Sequence, residues 1–372
     1  MNFARTDRSA VAQWWWSVDR WTLLALAALI GFGSLMVMAA SPSVATRIHV
    51  DHLHFIKRYF AVLPAAMAVM FAVSLQSPRM IRRIAFAGFI LALIAMVATL
   101  AIGVEIKGAR RWIDLPWFSL QPSEFVKPCF AVVSAWLFAR SREQPGFHGI
   151  PVAIALYLVV LVLLIKQPDL GMAAVVSAVW FTQFFLAGLR LVWAAVCLGT
   201  GGVGLTAAYF LLPHVTSRID RFLDPASGDS YQIDRSMDAF MNGGLWGQGP
   251  GEGTIKDTLP DAHADFVFAV AGEELGLIAC LVIVALFAFI VLRGFSRVLQ
   301  DGNLYIVIAA TGLFVQFGLQ AVINMASSLH LMPTKGMTLP FISYGGSSLL
   351  ALGLGMGMAL ALTRRRFGGE AL

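Results

Sequence analysis

Long uncharged apolar runs recur from one end of this chain to the other, and no other feature restricts its fold as much. The first, WTLLALAALIGFGSLMVMAA, covers residues 21–40 without a charge. At about 1.5 Å per residue, roughly 20 apolar residues in a helix cross the ~30 Å hydrocarbon core of a bilayer. Backbone in lipid has no water to satisfy it, so only helices and closed barrels span. Runs this long and continuous fit helices, because barrel strands need about ten alternating residues each. The first run is longer than the core of a secretory signal and many more follow, so it is read as a retained helix.

Ten spans are expected, at about 21–41, 56–75, 84–104, 123–139, 150–166, 170–188, 191–212, 266–292, 303–328 and 339–363. The fifth and sixth are short and parted only by Gln167-Pro168-Asp169, but joined they exceed one span. The expected class is therefore all-α, a polytopic membrane protein with one ten-helix domain over residues 21–363. Composition fits this class: 58% of the residues are hydrophobic and 13% charged, where soluble domains sit near half and a quarter. Short arginine-only turns (Arg79, Arg82, Arg83; Arg140, Arg142; Arg293, Arg297) and the closing Arg364-Arg365-Arg366 mark one side as cytoplasmic. Both tails, 1–20 and 364–372, then lie in the cytoplasm, and a long loop, 213–265, lies outside between spans seven and eight.

Cys129, Cys197 and Cys280 all fall in apolar runs. An odd, scattered set gives neither a disulfide framework nor metal-ligand spacing. The glycine-rich run GGLWGQGPGEG, residues 243–253, lacks the strand-to-helix setting and Gly-Lys-Ser/Thr ending of a phosphate loop. It reads as a mobile, substrate-shaping segment. No nucleotide signature is present, and no nucleic-acid partner is expected.

Chemistry concentrates in three outer stretches. In LPDAHADFVFAVAGEELG, residues 259–276, Asp265 is the last polar residue before the eighth span. A carboxylate there either caps the helix or serves as a general base at a cavity rim. Asp261 and His263 read as rim residues of the loop. Asp, His and Asp at alternate positions do not share a helix face, so no dedicated metal site is expected. Glu273 and Glu274 lie about 12 Å further along an unbroken helix, within the apolar layer. Carboxylates at that depth face protein or a watery cavity, and an orienting and a purely structural role both remain open. Asp169, in the break between spans five and six, is taken with them as orienting.

The second stretch, KGARRWIDLPWFSLQPSEFVKP, residues 107–128, carries basic residues, interfacial Trp112 and Trp117, and Pro122 suited to a first helical turn. Glu124 and Lys127 are i, i+3 neighbours, a spacing that predicts an ion pair, orienting a site residue or tying helices. The third, MPTKGMTLPFISYGGSS, residues 332–348, brings Lys335, Ser343 and two prolines into a broken approach to span ten. Gly353, Gly355 and Gly357 beyond it read as close-packing positions. Outer-side positive charge runs against topology, so Lys107, Arg110, Arg111 and Lys127, and Arg218, Arg221, Arg235 and Lys256, either bind an anion or pair with nearby acids. The candidate substrate-binding set is Lys107, Arg110, Arg111, Glu124, Lys127, Arg218, Arg221, Lys256, Lys335 and Ser343. Cations suit a pyrophosphate leaving group, on which charge develops in the transition state. A carboxylate suits a sugar hydroxyl that must become a nucleophile. Without nucleotide motifs, a lipid-linked donor fits best.

KGARRWI, QPSEFVK, QPDLG, RFLDP, the whole of GGLWGQGPGEGTIKDTLPDAHADFVFAVAGEELG and PTKGMTLPFISYGGSS together resemble the SEDS family (FtsW, RodA and SpoVE). The likeness covers nearly all ten spans, and the wording is closer to the division branch than to the elongation branch. Ala264 stands where the family often has threonine. The resemblance implies a peptidoglycan glycosyltransferase that polymerises lipid II on the periplasmic face of the bacterial inner membrane, at the septum, and releases undecaprenyl pyrophosphate. It implies Asp265 as general base on the acceptor hydroxyl. It implies a class B penicillin-binding protein transpeptidase, FtsI-like, as partner, with other divisome membrane proteins. No firm cofactor is implied; a divalent cation, magnesium or manganese, would bridge substrate phosphates and not sit in a protein cage. Two other readings compete: a lipid II flippase, which needs access from both sides, and a non-catalytic divisome scaffold.

Overall fold

The computed structural model describes residues 9–106, 109–115, 119–188, 191–211, 213–224, 231–333 and 335–365. A short helix α1 (Ala10–Ser17) precedes the bundle. The long helices are α2 (Arg20–Arg47), α3 (His54–Ser74), α4 (Pro78–Ile102), α5 (Pro122–Glu143), α6 (Gly149–Lys166), α7 (Leu170–Leu186) and α8 (Leu191–Leu211). After α9 (Pro213–Leu223) and α10 (Tyr231–Gly243) come α11 (Val267–Val298), α12 (Leu304–Ser328) and α13 (Gly346–Leu362). Six of them, α2, α3, α4, α6, α11 and α12, are long and apolar enough to cross a membrane. The chain is a multi-pass membrane protein.

Local chemistry sets the helix starts. Ser77 Oγ accepts from the Met80 N–H ahead of Pro78, and Asn303 Oδ1 accepts from the Ile306 N–H at 3.2 Å. Each cap satisfies an N–H that the first turn leaves without a partner. Pro122 opens α5 as expected.

Burial sorts the helices into a centre and a rim. Almost every residue of α5 from Pro122 to Ala139 is buried, and α12 and α13 are buried along most of their length. The other long helices expose apolar side chains, such as Leu91 and Ile94 on α4 and Leu158 and Val162 on α6, as a lipid-facing surface requires. Gly353, Gly355 and Gly357 of α13 are packing positions. A Cβ on Gly353 or Gly357 would fall 2.5 Å from the Ala66 carbonyl or 2.8 Å from that of Met70, both on α3. Only glycine lets these two helix backbones come so close.

The all-α expectation needs one correction. β1 (Val104–Ile106), β2 (Ala109–Asp114) and β3 (Ser119–Leu120) form an antiparallel sheet in the order β1-β2-β3. The arginine-rich segment is a hairpin because it is too short and too charged to span.

A second correction concerns α11, which is broken at Gly276 (φ 77°, ψ 179°). The reach of a straight helix across the ~33 residues from Val298 back to Asp265 would be about 50 Å. Yet Asn324 on neighbouring α12 hydrogen-bonds the Asp265 carbonyl, and it stands only about 30 Å along α12 from Leu304. The piece before Gly276 therefore turns off the axis of the lower helix. Glu273 and Glu274 lie on that piece with no exposed surface, so of the two surroundings expected for them, protein and a watery cavity, they have protein.

The glycine-rich run closes the break. The Gln248 and Gly249 N–H groups donate to the Glu273 and Glu274 carbonyls at 2.9 and 3.0 Å. In return the Leu277 and Ile278 N–H groups donate to the Gly244 and Leu245 carbonyls at 2.9 and 3.3 Å. These are the groups that the break strips of helical partners. Residues 243–253 are thus pinned, and none of them lines the cavity described below; the expected mobile, substrate-shaping role is not what the fold gives them.

Candidate functional site

A cavity of about 420 Å³ lies at the loop end of the bundle, within the usual size of a ligand pocket. The first turns of α3 contribute Phe55, Arg58 and Tyr59; the sheet contributes Arg111, Trp112 and Ser119. The starts of α5 and α7 add Gln121, Glu124, Asp169 and Met172. Two facing segments close it: Asp261, His263, Ala264 and Asp265 on one side, and residues from Gly336 to Leu349 on the other.

Asp265 does not cap α11. The N-cap is Phe266, whose side chain makes no cap bond. The Ala264 and Asp265 N–H groups both donate to the Asp261 carbonyl at 3.0 Å, and Asp261 takes φ 51° to close this turn. The Asp265 carboxylate packs on Gly336, where a Cβ would stand 2.9 Å from Oδ2. Of the two readings of Asp265, the helix cap is set aside and the cavity-facing carboxylate remains.

Asp261, half-buried, and His263, buried, both line the cavity. The His263 ring is buried and packed at a tilt between Phe55 and Tyr344, with centroids 4.6 and 5.1 Å away. Burial pushes its pKa down to about 4 against the opposing pull of Asp261. At neutral pH the ring is uncharged and supplies shape, not a proton.

Arg111, on β2, is held against the turn that starts α7. Its Nε donates to the Gln167 carbonyl at 2.9 Å, another guanidinium nitrogen donates to the Pro168 carbonyl, and Nη1 lies 3.6 Å from Asp169 Oδ2. Asp169 also caps α7 by accepting from the Met172 N–H at 3.3 Å. Asp169 thus joins the start of α7 to Arg111.

Lys335 does not line the cavity, but its stem crosses the start of α7: a Cβ on Gly171 would fall 1.7 Å from Lys335 Cε. Burial pushes its pKa down to about 8; Asp169 opposes this and Arg218 and Arg111 add to it. Glu124 and Lys127 form the expected pair at 2.9 Å, an ion contact without hydrogen-bond alignment. Lys127 is buried beneath the cavity and donates to Gln320 Oε1 at 2.9 Å. Ser343 donates to the Ala264 carbonyl and accepts from the Leu339 N–H at 2.8 Å, so it docks one wall on the other.

Several candidate substrate residues lie elsewhere. Lys256 is buried, ion-paired with Glu274 and donating to the Gly251 carbonyl at 2.8 Å, because a carboxylate enclosed by protein needs a counter-charge. Arg110 is exposed and pairs with Glu105 at 3.3 Å, and Arg235 pairs with Asp238 at 3.2 Å. Arg218 is exposed on α9 and does not line the cavity. Lys107, Trp117 and the side chain of Arg221 fall outside the described residues.

Three residues escaped the sequence reading. Arg58 lines the cavity from α3; an arginine at the mouth of an apolar run was its signal. Gln320 and Asn324 are almost fully buried on one face of α12, where polar amides four apart in an apolar helix mark an inward face. Gln320 Nε2 donates to the Thr338 carbonyl at 3.1 Å. Asn324 Nδ2 donates both to the Asp265 carbonyl at 2.9 Å and to the Met337 carbonyl at 2.6 Å. One amide thus ties the two facing walls together. Asn324→Ala is expected to lower the turnover of the site reaction by about 10²-fold, the cost of a misplacement near 1 Å, with KM changed much less. Steady-state kinetics beside Asp265→Asn checks this, and an unchanged turnover would dismiss the tie.

Fold and cavity define a polytopic membrane protein with a polar chamber at one end of its bundle. The chain belongs to the FtsW/RodA/SpoVE family of cell cycle proteins, whose profile matches residues 20–367. It is 46% identical over 370 residues to the probable peptidoglycan glycosyltransferase FtsW of Caulobacter vibrioides, covering 98% of this chain and 94% of that one. It is 39% identical over 344 residues to the protein of the same description from Trichlorobacter lovleyi, covering 88% of each. Among solved structures, a chain of a peptidoglycan synthase complex that coordinates polymerization and crosslinking superposes with TM-score 0.76 at 28% identity, over 93% of this chain and 97% of that one. The rod shape determining protein RodA of Thermus thermophilus gives TM-score 0.70 at 27% identity, over 94% and 97%.

Proposed function

We propose that this protein is a peptidoglycan glycosyltransferase of septal wall synthesis. It joins the lipid-linked disaccharide units of lipid II into glycan strands and releases undecaprenyl pyrophosphate. The observation that carries the reading is the Asp265 carboxylate inside a chamber that also holds Arg58 and Arg111. Asp265 takes the proton from the acceptor sugar hydroxyl as that oxygen attacks the donor's anomeric carbon. The bond to the pyrophosphate breaks, and Arg111, Arg58 and the neighbouring Lys335 stabilise the charge that collects there. All ten long helices cross the membrane, both tails are cytoplasmic and the chamber faces the periplasm at the division site. A class B penicillin-binding protein transpeptidase is the partner, as the relative from a synthase complex suggests by its description. Other divisome membrane proteins join that assembly.

The described residues contain no group of three or more histidine, cysteine, aspartate or glutamate side chains able to hold a metal ion. Glu124 and Asp169 are committed to Lys127 and Arg111. These donors do not fit a resident divalent cation, and a cation would arrive on the substrate phosphates.

The test is lipid II polymerisation by the purified protein, with and without its partner, beside Asp265→Asn. Polymer from the wild type and none from the variant is the expected result; full activity in the variant would remove the base assignment.

Lys335 makes this reading pH-dependent. Its free pKa near 8 lies below its ordinary 10.5, and a pyrophosphate beside it favours the charged form. Binding therefore takes up a proton and weakens as pH climbs past 8. Affinity for undecaprenyl pyrophosphate is expected to fall by up to about tenfold between pH 7 and 9. Lys335→Arg, which does not titrate there, should flatten the profile. An equal slope in both proteins would take Lys335 out of the site.

A further inference from the structure

The lower piece of α11 marks where the bilayer ends. From Leu277 to Leu292 it carries no charged residue, and that stretch measures about 24 Å, most of one hydrocarbon core. Arg293 follows at the other end, bonded to Asp19 at 2.6 Å. The outward face of the stretch is apolar throughout, with Leu277 48%, Ile278 42%, Leu281 59% and Leu292 64% exposed. Above Gly276 the character changes abruptly, because every residue from Val267 to Glu274 is buried in protein. The outer edge of the hydrocarbon therefore falls at Gly276–Leu277.

The tip of the long loop sits at that level. Gly244 and Leu245 accept from the Leu277 and Ile278 N–H groups, so their height is fixed to the first lipid-facing turn. At this point the chain presents Met241 at 80%, Leu245 at 60% and Trp246 at 80% exposure. Met237, one turn before Met241 on α10, extends the stripe. The opposite face of α10 is spent on protein through Ile233, Ser236, Ala239 and Gly243.

We infer that Met241, Leu245 and Trp246 form a membrane-interface anchor whose partner is the lipid of the leaflet on the chamber side. The exposed patch is continuous with the lipid-facing surface of α11. Tryptophan is also the side chain most suited to that depth, with an apolar ring and a polar N–H. The anchor holds the loop end of the bundle, and with it the chamber, at a fixed height above the hydrocarbon. A lipid-linked substrate has its reacting sugar at a height set by its own lipid, so that height matters to the proposed reaction. The anchor itself does not depend on that reaction.

Site-directed spin labelling of the purified full-length protein in nanodiscs, without any partner protein, tests this. Labels are placed singly by Trp246→Cys, Leu245→Cys and Met241→Cys after Cys129, Cys197 and Cys280 are replaced by alanine. Leu281→Cys serves as the lipid-facing reference and Asp238→Cys as the aqueous one. At positions 241, 245 and 246 the ratio of collisions with oxygen to those with a water-soluble nickel chelate should be several-fold above that at 238 and near that at 281. Ratios matching position 238 would overturn the anchor. So would protection from both reagents, which would mean that a second copy of the chain covers the patch. Where a labelled variant fails to fold, the neighbouring positions of the stripe report the same depth. The lipid source is checked by diluting the protein, which leaves a bilayer contact unchanged and loosens a contact between copies.

Discussion

Asp265→Asn is expected to lower polymerisation of lipid II by about 10²–10⁴-fold, the usual contribution of a positioned base. The substitution keeps side-chain shape and removes a proton acceptor. The backbone of the residue should hold its place, because its N–H donates to the Asp261 carbonyl and its carbonyl accepts from Asn324. Neither bond involves the carboxylate, and no helix cap is lost. Thermal stability and retention of the transpeptidase should therefore match the wild type while turnover collapses. Single-turnover assays with radiolabelled lipid II measure the loss. A variant that polymerises at full rate would shift the base to another carboxylate of the chamber, Asp261 or Glu124.

Glu273→Ala should fail in the opposite way, through the fold. The Glu273 carboxylate accepts four hydrogen bonds: from the Thr254 and Ile255 N–H groups at 2.8 Å, the Lys256 N–H at 3.0 Å and the Asn242 amide at 3.0 Å. All reach it from the long loop. Truncation leaves the buried Lys256 N–H and three part-buried donors without their acceptor; a buried orphan costs about 1–3 kcal/mol and the part-buried ones less. A total of about 4 kcal/mol is expected, allowing for some repair by water. Glu274 and Lys256 stay paired, so the loss is not offset by removal of a counter-charge. The thermal midpoint in detergent should drop by many degrees, and polymerisation should fall in step with the folded fraction. A variant as stable as wild type would show that the loop is held by other bonds. The contrast with Asp265→Asn separates a residue that reacts from one that holds the loop.

Spacing in the sequence was enough for some of this and not for the rest. Pro122 at a first turn, Glu124 three residues before Lys127 and glycines on α13 depend only on near neighbours along one helix, and each stands as expected. The place of Asp265 on the cavity was legible because it is the last carboxylate before an apolar run. The turn in α11 is not legible, because a single glycine inside an apolar run reads as an ordinary packing position. The cations were misassigned for a different reason. Lys256 and Glu274 meet across eighteen positions of chain, and no local pattern shows that one neutralises the other. The β-hairpin was hidden in a stretch judged by its charges alone. Asn324 and Gln320 were passed over because an amide in an apolar run looks minor until its two acceptors are known.

The bonds between the glycine-rich run and the broken helix have a consequence for how this chain can vary. Residues 244–249 supply to α11 the partners that its own next turn would have supplied. In the accounting of backbone hydrogen bonds they are a turn of that helix, contributed from far upstream. A loop ordinarily tolerates insertions and deletions, yet one residue added or lost here would misalign both donors and acceptors at once. Alignments of relatives should place no gaps in this segment. Length differences belong in the preceding part of the loop, outside the pinned run.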